Sequence, residues 1–119
     1  MQSETLGMNS QHAQAEFTAR AHLVRHAVAY AFGVSADDLS APTRRSRKSA
    51  FARQAAMYLA HVAFEWPLGR VGQAFGRDRS TAAHACHLIE DMRDDAEFDA
   101  RMDALEAGLK SIPGAGGAP

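Results

Sequence analysis

Two short runs of this chain carry side chains suited to binding chemistry. The first is Phe75-Gly76-Arg77-Asp78-Arg79-Ser80-Thr81-Ala82-Ala83-His84-Ala85. Gly76 can end a helix in the left-handed conformation, and Asp78 can accept from the exposed N–H groups of the helix that follows. Arg79, Ser80 and Thr81 then stand in the first turn of that new helix. This is where the recognition helix of a helix-turn-helix presents donors to base edges. The second run is Arg44-Arg45-Ser46-Arg47-Lys48, four cations within five residues of a loop. Such a cluster is costly to hold together without an anion to face it, and a phosphate backbone is the anion that suits it.

Other chemistry finds little support. His84 and His87 are three apart on a helix beside Cys86, but Cys86 falls on the apolar side and no second ligand pair stands elsewhere, so no metal is expected. No Ser/His/Asp or Cys/His set has a usable order with supporting turns, so catalysis is not expected. Nothing matches a Gly-x-x-x-x-Gly-Lys-Ser/Thr phosphate cradle, so neither ATP nor any other cofactor is expected.

The elements that must position these runs are helical. Apolar residues recur at helical spacing and no stretch alternates as a strand would, so the chain is expected to be all-α, a compact helical bundle containing a helix-turn-helix. A first helix is expected from about Gln14 to Phe32, with Phe17, Leu23, Val24, Ala27, Val28 and Ala31 inward and Gly33 as its stop. Ser35 and Asp38 look like a reciprocal cap for a short helical turn, and Pro42 marks the loop after it. A central helix from about Arg47 to Phe64 buries Phe51, Ala55, Tyr58, Leu59 and Val62, leaving Arg47, Lys48, Arg53, Gln54 and His61 on the surface. Pro67 suits the first position of a two-turn helix carrying Leu68, Val71 and Phe75, with Trp66 beside it as a staple or core residue. Ala82, Cys86, Ile89 and Met92 define the buried side of the recognition helix, and Phe98, Met102, Leu105 and Leu109 that of a last one. Met57 and Met92 both sit at core spacing. Residues 1–13 read as a flexible extension, 14–109 as the domain, and 110–119 as a disordered Gly/Pro/Ala tail.

Bulk properties agree with one domain of 119 residues. The lone Cys86 excludes an intramolecular disulfide, and no leader or long apolar run is visible, so a cytoplasmic, nucleoid-associated location is expected. The net charge is only −1, but it is sorted. Eight Lys/Arg against Glu65 and Asp78 put +6 between Arg44 and Arg79, whereas eight acids face Arg93 and Arg101 between Glu90 and Glu106. A polyanion would be drawn to one region and repelled by the other.

The order of these parts resembles the C-terminal DNA-binding domain (domain IV) of the bacterial replication initiator DnaA, a Trp-repressor-like helical bundle. The likeness runs from about Val24 to Leu109. It rests on Phe32-Gly33-Val34-Ser35-Ala36-Asp37-Asp38-Leu39, Arg44-Arg45-Ser46-Arg47, Ala52-Arg53-Gln54-Ala55-Ala56-Met57-Tyr58-Leu59-Ala60, the Phe75 to Ala85 run, and Ile89-Glu90. The resemblance implies that Arg45, with Arg44 and Arg47 in the basic loop, enters a minor groove. It implies that Asp78, Arg79, Ser80 and Thr81 read bases, with His84 and Ala85 one turn further along, and that Lys48, Arg53, Gln54, His61 and Arg77 meet phosphates. Three departures stand out. One glycine replaces the family's usual pair before the Arg-Asp step, making the turn one residue shorter, and Arg79 stands in place of a histidine. Leu88 also stands where a basic residue is common. The implied partner is double-stranded DNA at origin or DnaA-box-like sites, bound by a stand-alone reading head that regulates replication initiation. The alternatives are a modulator that engages the initiator DnaA or its regulatory partners, and a transcriptional regulator. No membrane partner is implied.

Overall fold

The computed structural model describes residues 2–42 and 46–113, with side chains from Ser10 onward. Its elements are α1 (Gln2–Phe32), α2 (Ala36–Ser40), α3 (Arg47–Ala63), α4 (Leu68–Ala74), α5 (Arg79–Met92) and α6 (Ala96–Lys110), with no strand among the described residues.

The α3 helix is the axle. Ala52, Ala55, Ala56, Met57, Leu59 and Ala60 are all buried, and α1, α2, α4, α5 and α6 each pack against it. Small residues on successive turns let neighbouring backbones approach from several sides, which a narrow apolar stripe would not allow. Around it, Phe17, Ala21, Val24 and Val28 of α1 repeat at i, i+4, i+7 and i+11, and Ala82, Cys86 and Ile89 of α5 at i, i+4 and i+7. Met102 and Leu109 bring α6 onto the same core. Trp66 is a core residue, its ring 4.7 Å from Phe17 and 5.2 Å from Phe64.

Several expectations need correction. The first helix begins at Gln2 rather than near Gln14. Leu23 and Met92 are about two-fifths exposed, at 42% and 41%, because neighbouring elements cover a narrower arc of α1 and α5 than the sequence spacing suggests. Ser35 Oγ accepts from Asp37 N at 3.2 Å, while Ser49 Oγ donates to the Asp38 carboxylate at 3.4 Å and ties α2 to the first turn of α3. Pro67 is the residue before the first turn of α4 instead of its first member.

The acidic segment is partly neutralised from within. Arg93, at the end of α5, donates to Asp99 at 2.5 Å, to the Tyr58 hydroxyl at 3.0 Å and to Asp103, with Glu106 3.5 Å away. Burial works against its charge, but the bonds to Asp99, Tyr58 and Asp103 more than offset this and hold the guanidinium above its ordinary range. Arg93→Ala removes the common partner of three acids and is expected to cost about 2 kcal/mol, read as a lowered urea midpoint at unchanged m.

Candidate nucleic-acid interface

The turn between α4 and α5 is built from backbone bonds. Arg77 N donates to Gly72 O at 2.8 Å and Gly76 N to Gln73 O at 3.4 Å, the paired bonds of a Schellman end. Gly76 is the left-handed residue this requires, at φ +65°. Gly72 is needed for a different reason. A Cβ there would lie 2.5 Å from Arg77 O and 2.9 Å from Asp78 O, so the chain leaving the turn crosses directly over α4. A glycine inside a short helix weakens it, and that signal is present in the sequence, but its meaning is visible only when the crossing is seen.

Asp78 then caps α5. Its Oδ1 accepts from Thr81 N at 2.8 Å and from Ser80 Oγ at 2.9 Å. These bonds, the Thr81 backbone first, hold its carboxyl below the usual aspartate range. A lowered native value means the cap's contribution is complete above the ordinary aspartate value near 3.8 and disappears as pH falls through the lower value. Exchange of the Thr81 amide should therefore accelerate on acidification, whereas Asp78→Asn, which caps without titrating, should remove that pH dependence.

With the cap in place, Arg79, Ser80 and Thr81 are all exposed on the first turn of α5, and His84 is exposed one turn on. Ser80, His84, His87 and Asp91 follow one another at i, i+4, i+7 and i+11, so the outward stripe of the helix runs from polar and neutral to acidic. Ala85 is buried at 1% exposure and belongs to the core rather than to this stripe, because it lies beside Ala82 and Ile89 on the inward side.

The basic side chains are divided. Arg44 and Arg45 lie outside the described residues. Arg47 and Lys48 are exposed at the start of α3, whose cap is Ser46, its Oγ accepting from Ser49 N at 3.0 Å. Gln54 is half-buried. Arg53, expected on the surface, is buried at 7% exposure, because its turn of α3 faces the interior that surrounds this central helix. His61 is half-buried, its Nδ1 2.8 Å from Trp66 O, and it lines a cavity of about 300 Å³ with Tyr58, Cys86 and His87. Arg77 is half-buried and bonded to carbonyls at Phe75 and Ala41. Arg70 lies 4.0 Å over the Phe17 ring and fastens α4 to α1. Burial, and secondarily Glu90, pushes the Cys86 thiol up to about 11, so it remains a neutral packing group. Among the described residues no group of three His, Cys, Asp or Glu could hold a metal ion, and no helix is long and apolar enough to cross a membrane.

The Arg77 Nη2 to Ala41 O bond, 2.8 Å, sets the α4–α5 turn against the end of α2. The basic loop departs from that end and rejoins the bundle at Ser46, beside the Asp38–Ser49 tie. The start of the recognition helix and both stems of the cationic loop therefore share one end of the molecule.

A short helix, a tight Schellman turn and a capped second helix with an exposed polar first turn define a helix-turn-helix module. The family model for the bacterial dnaA protein helix-turn-helix matches residues 21–89, and the chain belongs to that family. It is 36% identical over 93 residues to the chromosomal replication initiator protein DnaA of Desulfotalea psychrophila (strain LSv54 / DSM 12343), an alignment covering 76% of this chain and 19% of the initiator. The chain thus spans about a fifth of the length of that relative. In fold it is similar to the crystal structure of a DNA replication initiation factor, with a TM-score of 0.74 and 23% identity, covering 84% of this chain and 31% of the other.

Proposed function

We propose that this chain binds double-stranded DNA sequence-specifically, with the first turn of α5 in a major groove and the basic loop on the adjacent backbone and minor groove, and that it acts in the control of replication initiation. The observation that carries this reading is the exposed Arg79-Ser80-Thr81 turn, held by the Asp78 cap at the same end of the bundle as the stems of the cationic loop. Arg79 is the specificity residue, since a guanidinium in this position can bind guanine O6 and N7 bidentately. Asp78 sits close enough to the groove to accept from a cytosine amino group through its second oxygen. Arg44, Arg45, Arg47 and Lys48 supply the phosphate and minor-groove contacts, with Gln54 a neutral donor beside them. Four positions are left out. Arg53 and Ala85 are buried, His61 faces the Trp66 carbonyl, and the Arg77 guanidinium is bonded to the Phe75 and Ala41 carbonyls.

Charge sets the docking angle. Asp91 lies on the same outward stripe as Ser80 and His84, and Glu90 and Asp94 are exposed beside it. A helix lying flat along the groove would press these acids onto phosphates, so α5 enters by its tip. The replication context is supported by membership of the DnaA helix-turn-helix family. As a single module it would bury about 600–1,000 Å².

The test is a salt titration of binding to a short mixed-sequence duplex, followed by selection of preferred sites from a random pool. Binding should weaken linearly in log salt, and Arg47→Ala should reduce the slope by about one while weakening all sequences alike. A flat salt response would refute the proposal. One observation favours a protein partner as a second reading. Tyr30 is 92% exposed on α1, one turn from Ala27 and two turns from Leu23 along the same helix. Co-precipitation with the initiator that survives an Arg45→Ala/Arg79→Ala double substitution would select that reading.

A further inference from the structure

Arg77, next to the start of the recognition helix, has its side-chain donors committed inside the protein. Nη1 donates to Phe75 O at 2.9 Å and Nη2 to Ala41 O at 2.8 Å, the latter across 36 positions of sequence. Its main chain is equally constrained, with its N–H on Gly72 O and its carbonyl against the face of Gly72. Ala41 is buried and is the last such residue before Pro42 and the basic loop. For Arg77 to turn outward to a phosphate, it would have to release two partly buried carbonyls from their donors.

Resting on the DNA-binding reading above, we infer that Arg77 is a positioning residue that clamps the stem of the basic loop to the helix-turn-helix turn and so sets the offset between the two DNA-reading elements, without touching the duplex itself. A planar fork can span two carbonyls that face different elements. A lysine ammonium carries the same charge, but as a single point on a flexible stem it cannot hold both in a fixed geometry. The two roles open to Arg77 therefore differ in how they respond to lysine.

The experiment compares Arg77→Lys and Arg77→Ala for binding to a duplex selected as above, each alone and combined with Arg45→Ala. Amide exchange is followed in the free proteins. Arg77→Lys should lose as much affinity as Arg77→Ala, about tenfold, and Arg45→Ala should add less than its usual loss in either background, because the loop is already out of register. In the free protein both variants should speed exchange at Ser49, Ala50 and Thr81, whose amides are held by the caps of α3 and α5, while Leu59 in the core of α3 stays protected. Full rescue by lysine, with Arg77→Ala lowering the salt slope by about one, would instead mark a phosphate contact and overturn the inference. Unchanged exchange in both variants would overturn it too. If the unaltered protein bound no duplex, the functional proposal would fall while the exchange data still decided whether Arg77 holds the loop stem to the turn.

Discussion

Gly72→Ala is expected to destabilise the domain by about 1–3 kcal/mol and to abolish tight DNA binding, although alanine is the better helix former. The added Cβ would sit 2.5 Å from Arg77 O and 2.9 Å from Asp78 O, both backbone atoms with no rotamer to move. The turn must lift away from α4. That movement carries Asp78, the cap of α5, with it, and breaks the Arg77 N to Gly72 O bond. Gly69→Ala, three residues earlier in the same helix, is the control, since nothing lies within 4 Å of its Cβ position. It should be neutral or stabilise by up to about 1 kcal/mol and leave binding intact. Urea unfolding of the two variants, with duplex binding measured beside it, checks the pair. Equal behaviour at the two positions would contradict the crossing geometry.

Arg79→Ala is expected to cost about 1–3 kcal/mol of binding to the preferred duplex and to relax the preference at one base pair, with little change in the affinity for mixed sequence. The side chain is exposed on the first turn of α5, so its removal leaves no cavity and the unfolding midpoint should barely move. Arg79→His, which restores the residue the DnaA resemblance leads one to expect there, should change the preferred sequence rather than merely weaken binding. Site selection from a random pool with the three proteins reads this directly. An identical preferred site in all three would show that Arg79 is not a specificity residue.

Much of the fold was legible from periodicity and punctuation. Gly33 and Gly76 end their helices at φ +67° and +65°, Asp78 caps α5, and Ala55, Tyr58 and Leu59 of α3 and Ala82, Cys86 and Ile89 of α5 are buried as their spacing implies. These features are local. A cap or a left-handed glycine draws on residues within one turn, and so it is written in consecutive letters. The errors arose where burial depends on what else arrives. Leu23 and Met92 obey helical spacing yet remain partly exposed, because the neighbouring elements cover only part of each side chain.

The candidate site divides along the same line. That Arg79, Ser80 and Thr81 open a capped helix after a glycine turn follows from sequence alone, as does the crowding of cations from Arg44 to Lys48. Which cations face outward was settled only in three dimensions. Arg53, Arg77 and Arg47 are indistinguishable as letters, since each is an arginine in or next to a basic stretch. Tertiary packing buries the first, commits the second to the Ala41 and Phe75 carbonyls and leaves the third exposed. The reason is physical: helix formation and capping are decided by neighbours along the chain, whereas the fate of a long charged side chain depends on which distant acceptors the folded backbone brings within its reach.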